Sequence, residues 1–111
     1  GGYVGVNGVG FFLGCSGHEL PEIMARHIAY IADLVGPAHV GLGLDFMYLE
    51  GSDFSFFHNA RDRWPRGYPP PPWSFLVPEQ FGSLVEAIER HGFDRGEMRG
   101  ILGGNLMRCM L

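Results

Sequence analysis

The chain has 111 residues, 46% apolar and 18% charged, with a formal net charge of -4. That is the composition of one globular domain or part of one, and it excludes a disordered chain. The acidic balance and the absence of a basic run exclude an electrostatic nucleic-acid binder, and no run of about 18 apolar residues is present to span a membrane.

Glycine is abundant, 18 residues, against an average of roughly 7%. That excess points to tight turns and close backbone approaches. Cys15 and Cys109 are too few for a disulfide framework. No signal peptide is recognisable. The chain begins without Met, in what reads as the middle of an element, so a signal or anchor upstream stays open.

Residues 2–7, GYVGVN, favour a strand. Side-chain alternation puts Val4 and Val6 on one face and Tyr3, Gly5 and Asn7 on the other. Residues 8–17 read as a loop holding an apolar knot, Phe11, Phe12 and Leu13, whose plain reading is loop packing. Residues 19–35 form the strongest helix. Ile23, Met24, His27, Ile28, Ile31, Leu34 and Val35 recur at helical spacing. Pro21 and the acids Glu19 and Glu22 suit the helix start, and Gly36-Pro37 is a stop. His27, on that stripe, reads as a hydrogen-bonded core histidine rather than a metal ligand.

Residues 39–46, HVGLGLDF, repeat the pattern of the first strand. Val40, Leu42 and Leu44 share the bulky face; Gly41, Gly43 and Asp45 share the bare one. Strand, helix and strand make a βαβ unit, so the strands are expected to be parallel and adjacent. The 19–35 helix is expected to cover Val4, Val6, Val40, Leu42 and Leu44. Asp45 falls at the carboxyl end of its strand, where ligands gather in α/β barrels and doubly wound sheets. The structural alternative is that it starts a turn.

Residues 47–78 read as a long aromatic and proline-rich loop with Phe54, Phe56, Phe57, Trp64, Tyr68 and Trp73. Its proline run, 69–72, suits polyproline II. Residues 79–91 form a helix with Phe81, Leu84, Val85 and Ile88 inward and Gly92 as its stop. Asp94 and Glu97 have capping-box spacing and open a short helix carrying Met98, Ile101 and Leu102. Gly103-Gly104 breaks it, and Asn105 suits the cap of a last turn.

Spacing alone yields no complete active site. Cys15 and His18 lack a matching pair; His18-Glu19 lacks the second histidine of a zinc-protease helix; no phosphate loop, nucleophile elbow or dinucleotide fingerprint is present. Nor is the fold complete. Two parallel strands leave both edges and one face open, whereas parallel sheets are covered on both faces. The simplest account is the end of a larger barrel.

VGVN, ARHIAYIADLVG, HVGLGLDF and EAIERHGF…MRGILGGNLMR, in that order, resemble the C-terminal portion of the membrane (renal) dipeptidases. The likeness covers nearly the whole chain outside 47–73. It implies an α/β fold: the C-terminal fragment of a (β/α) TIM-type barrel of the metal-dependent hydrolase class, with two parallel strands and flanking helices. Residues 1–111 would be the end of one barrel domain.

The resemblance further implies two zinc ions in the full-length parent, held by ligands outside this segment, activating water to hydrolyse a dipeptide. It assigns Asp45 a catalytic role, in proton transfer or orientation of water and substrate. Phe12 matches an aromatic substrate contact, here without a hydroxyl, and Asn7 matches a strand-end asparagine facing the interior. Met47 stands where the family pattern carries a second aspartate. The expected partners are a dipeptide, the remainder of the barrel and a second copy of the chain. The segment alone is expected to be inactive. Rival readings are another metal-dependent amidohydrolase, acting on a non-peptide amide or a lactone, and a non-catalytic module presenting the proline/aromatic loop.

Overall fold

The computed structural model describes residues 1–64, 66, 69 and 71–111, without the side chains of His58 and Arg61. Strand β1 (Val4–Val6) runs into a single helical turn, α1 (Gly10–Leu13), so the apolar knot is helical rather than irregular. A 3-10 turn (Gly17–Glu19) leads into the long helix α2 (Leu20–Val35). Gly36, at φ 94, ends α2, because a left-handed backbone favours glycine and breaks the helical ladder. A second 3-10 turn (Pro37–His39) delivers the chain to β2 (Val40–Leu42). The fold is mixed α/β, and the two strands are parallel and adjacent, with Val4 opposite Val40, Gly5 opposite Gly41 and Val6 opposite Leu42.

Helix α2 packs on the branched face of this pair, burying Val6 and Val40 and half-burying Leu42 and Leu44. Val4 remains 46% exposed, so the cover is partial. The glycine face has a different logic. A Cβ on Gly5 would lie 3.2 Å from the Gly43 Cα, and one on Gly43 would lie 3.1 Å from Gly5. A Cβ on Gly41 would lie 2.7 Å from both the Ile101 carbonyl oxygen and the Tyr3 hydroxyl. The Tyr3 phenol crosses that glycine to donate to the Leu42 carbonyl at 2.8 Å.

The buried row of α2 is Leu20, Met24, Ala25, Ile28 and Ala32. It is rotated from the stripe read in the sequence: His27, Leu34 and Val35 are exposed, as is Tyr30. His27 is therefore a surface residue and not a core histidine. Bulk misleads at this site because small alanines occupy the contact side of the helix.

Within 47–78 the chain forms a short helix, α3 (Ser55–Asn59), and a 3-10 turn (Arg61–Arg63). Aromatic rings join the stretch: Trp73 meets Phe57 edge-on at 4.7 Å and Phe54 at 6.0 Å, and Phe57 stacks on Trp64 at 5.6 Å. Tyr68 and Pro70 lie outside the described residues, so the polyproline reading of 69–72 does too.

A 3-10 turn (Pro78–Gln80) opens α4 (Phe81–Glu89), which packs against α2 and buries Leu84, Ala87 and Ile88. Phe81, expected inward, is exposed. Arg90 bridges to Glu22 of α2 at 2.6 Å, and that hydrogen bond holds the Glu22 carboxyl below its ordinary range. Both side chains are solvent-exposed, so the pair contributes little.

Helix α5 (Arg95–Arg99) carries the expected capping box. The Asp94 carboxylate accepts from the Glu97 N–H, and the Glu97 carboxylate accepts from the Asp94 N–H, each at 2.9 Å. A π-type turn (Gly100–Gly104) breaks at Gly103 and leads to α6 (Asn105–Met110). Asn105 does not cap α6. Its buried amide donates to the Pro37 and Val40 carbonyls, each at 2.8 Å, and so fastens α6 to the entry of β2.

Gly41→Ala should destabilise the chain by about 1–3 kcal/mol, the usual penalty for forcing atoms into a packed site. Gly82→Ala, in α4 with open space at its Cβ, should instead stabilise it by about 0.5–1 kcal/mol through helix propensity. Urea unfolding of the two variants checks the pair; similar effects would show that the Gly41 contact is not tight.

Candidate functional site at the strand ends

The parallel ladder does not stop at the last formal strand residue. The Gly43 N–H donates to the Val6 carbonyl at 2.9 Å, and the Gly8 N–H donates to the Leu44 carbonyl at 3.0 Å. This extension carries Asn7 and Asp45 to the same end of the pair, on the face shared with Gly5 and Gly43. The Asn7 Nδ2 donates to the Asp45 Oδ2 at 3.1 Å, and the Asn7 Oδ1 accepts from the Val9 N–H at 2.6 Å. Chemistry fixes the amide orientation, because an ionised carboxylate cannot donate and a backbone N–H cannot accept. Parity thus brings two of the three sequence-derived site residues together.

Asp45 is solvent-exposed and has φ 53, the one described non-glycine residue with positive φ. Aspartate tolerates this left-handed region better than most residues, since its short polar side chain bonds locally. The strand therefore ends at Asp45 by a sharp change of direction. The turn-forming reading of Asp45 and the ligand-facing reading are compatible: the same backbone kink leaves the carboxylate in solvent beside Asn7.

Phe12 sits apart from that pair in its contacts. It lies on α1, 61% exposed, with its ring 4.2 Å from the ring of Phe11. Phe11, rather than Phe12, lines a hollow of about 410 Å³ together with Cys15, Pro72 and Trp73. Burial pushes the Cys15 thiol above its ordinary range, with Glu19 adding to the effect.

A third backbone segment closes beside the strand ends, one that alternation alone did not reveal. The Gly10 N–H donates to the Ser74 carbonyl at 2.7 Å and the Leu76 N–H to the Gly8 carbonyl at 2.8 Å. Val9 and Phe75 are thereby paired antiparallel. Phe75 and Leu76 are buried, so the long loop effectively ends at a strand-like strap. The usable signal was the apolar run SFLV, which the surrounding prolines obscured.

Between this strap and the segment after Asp45 lies an open cavity of about 820 Å³. Its walls include Phe46, Tyr48, Glu50, Trp73, Phe75 and Glu79. Phe46 meets Phe75 edge-on at 6.2 Å. The Tyr48 hydroxyl donates to the Glu50 carboxylate, and that bond raises the phenol above its ordinary range. Gln80 fixes the far wall: its Nε2 donates to the Gly17 carbonyl at 2.8 Å, and its Oε1 accepts from the Val77 N–H at 3.1 Å.

Among the described residues, no three histidine, cysteine, aspartate or glutamate side chains gather where they could hold a metal ion. The strand-end pair supplies one carboxylate and one amide. It can orient a polar group and accept a proton, and it does not make a zinc site. No family model, curated protein or solved structure matches the chain in comparisons with known proteins.

Asp45→Asn should leave stability within about 0.5 kcal/mol, as asparagine also accepts positive φ. Asp45→Val, β-branched at that φ and unable to bond Asn7, should lose about 1–2 kcal/mol. Chemical denaturation distinguishes the two; equal stability would mean that the kink is not held by the Asp45 backbone geometry.

Proposed function

We propose that this chain is the C-terminal part of a (β/α) barrel of the metal-dependent hydrolase class, and that the parent cleaves dipeptides in the manner of the renal dipeptidases. The observation that carries the reading is the Asn7–Asp45 pair at the carboxyl ends of two parallel strands. Polar residues at that end of a parallel sheet are where barrel enzymes bind and process ligands.

Two further features support it. Gly5 and Gly43 stand exposed on one face of a parallel pair, whereas parallel sheets are normally covered on both faces. Helix α2 carries an apolar outer side, with Tyr30, Leu34 and Val35 exposed, as suits a helix flanked by a barrel neighbour. The remainder of the barrel is thus the first partner, with a dipeptide as substrate and a second copy of the chain as a further partner. The same geometry serves another metal-dependent amidohydrolase acting on an amide or lactone. The proline/aromatic loop is a poorer interaction module, since Trp73 packs on Phe54 and Phe57.

The described residues do not fit a dinuclear zinc centre by themselves, so the role proposed for this segment is confined to its own groups. Asp45 can take or hold a proton at a carboxylate oxygen in the mouth of the sheet. Asn7 holds that carboxylate in place while its own oxygen stays fixed by Val9. Gly5 and Gly43 add no side chain to that face, on which both are exposed.

In the full-length parent, Asp45→Asn should lower kcat on a simple dipeptide by on the order of 10²–10⁴-fold, the range of general acid–base catalysis. Zinc content and thermal midpoint should hold. The 111-residue chain alone should neither hydrolyse dipeptides nor retain stoichiometric zinc after dialysis. Near-normal turnover in Asp45→Asn removes the catalytic assignment, and stoichiometric zinc in the isolated chain reveals a metal site within it.

A further inference from the structure

The cavity beside the strap has a chemistry of its own, independent of the dipeptidase reading. Its volume, about 820 Å³, falls in the range of small-molecule sites, roughly 300–1,000 Å³. Four aromatic rings stand on its walls, Phe46, Tyr48, Trp73 and Phe75, with two carboxylates, Glu50 and Glu79. None of the described residues lining it is an arginine, and the sequence contains no lysine. An anionic ligand would meet two carboxylates, with His18 the one basic side chain among the described lining residues. A neutral one would give neither carboxylate a counter-charge.

We propose that this cavity binds a small organic ammonium ion, its apolar body against the aromatic walls and its charge facing Glu50 and Glu79. Aromatic faces carry a negative quadrupole that attracts cations, and quaternary ammonium groups are bound between such rings. The Tyr48–Glu50 hydrogen bond joins a ring and a carboxylate into one wall, with the phenol kept protonated as the donor. Gln80 braces the opposite wall against Gly17, next to Glu79 in the same turn. The cavity therefore has two braced sides before any ligand arrives.

The probe is choline, compared with 3,3-dimethylbutan-1-ol, which has the same shape without the charge. Neither contains a peptide bond, so the result is separable from dipeptide hydrolysis. In an amide chemical-shift titration of the 111-residue chain, choline should give saturable shifts at Tyr48, Glu50 and Ser74. It should bind about 5-fold or more tightly than the neutral isostere, the ratio expected from about 1 kcal/mol of cation recognition.

Glu50→Gln, whose amide oxygen still accepts from Tyr48, should weaken choline about 3–10-fold and leave the isostere unchanged. Glu79→Gln provides the same test from the opposite wall, and far-UV circular dichroism verifies that each variant is folded. Equal binding of choline and its isostere, preferential binding of phenylacetate, or shifts that do not saturate with millimolar choline would each overturn the proposal.

Discussion

The rest of the structure depends on how closely the two parallel strands and the C-terminal segment approach across glycine. A Cβ on Gly5 or Gly43 would come within 3.2 Å of the other's backbone, tighter than ordinary contact, and Gly41 is closed in by the Tyr3 ring and the Ile101 carbonyl. Any larger residue at these positions must displace backbone rather than a flexible side-chain end. Close packing makes such displacement costly. Three glycines thus permit the close approach of the strands and of the C-terminal turn to β2. Asn105 completes that attachment by binding the carbonyls of Pro37 and Val40.

That approach has a consequence for the site. A ladder held in register as far as Gly8 and Leu44 carries Asn7 and Asp45 to one end of the sheet. The strap at Phe75 then fixes the loop that returns beside them. The aromatic stretch before it packs largely on itself and on Phe11, so the loop is anchored at α1 and at Val9. Placement of the polar pair and shaping of the neighbouring cavity both follow from backbone pairing at the strand ends.

Alternation of side chains made the parallel pair legible, because period-two patterns report faces directly. The Gly36 and Gly92 stops, the Asp94–Glu97 capping box and the break at Gly103 were legible for the same reason: each is local chemistry. Parity also put Asn7 and Asp45 on the bare face of their strands; their hydrogen bond emerges only in the structure. What stayed hidden was tertiary. The buried side of α2 is marked by Ala25 and Ala32, which carry little hydrophobic signal, and so His27, Leu34 and Val35 took their place in the sequence reading. Phe75 and Leu76 pair with a segment more than 60 positions away, which no local rule reports. Asn105 looked like a cap and instead reaches carbonyls across the fold. The resemblance supplied the roles given to Phe12 and Asp45, which spacing alone does not.

Native-state hydrogen exchange at the Gly43 and Gly8 amides tests most directly whether the parallel pairing extends to the strand ends. Their hydrogen bonds carry the ladder past β2 and bring Asn7 to Asp45. The account predicts that both amides exchange as slowly as buried α2 amides such as that of Ile28, opening with the core rather than with the loops. Exchange at the rate of the Gly51 turn would contradict it, because the strand ends would then be frayed and the polar pair not held together.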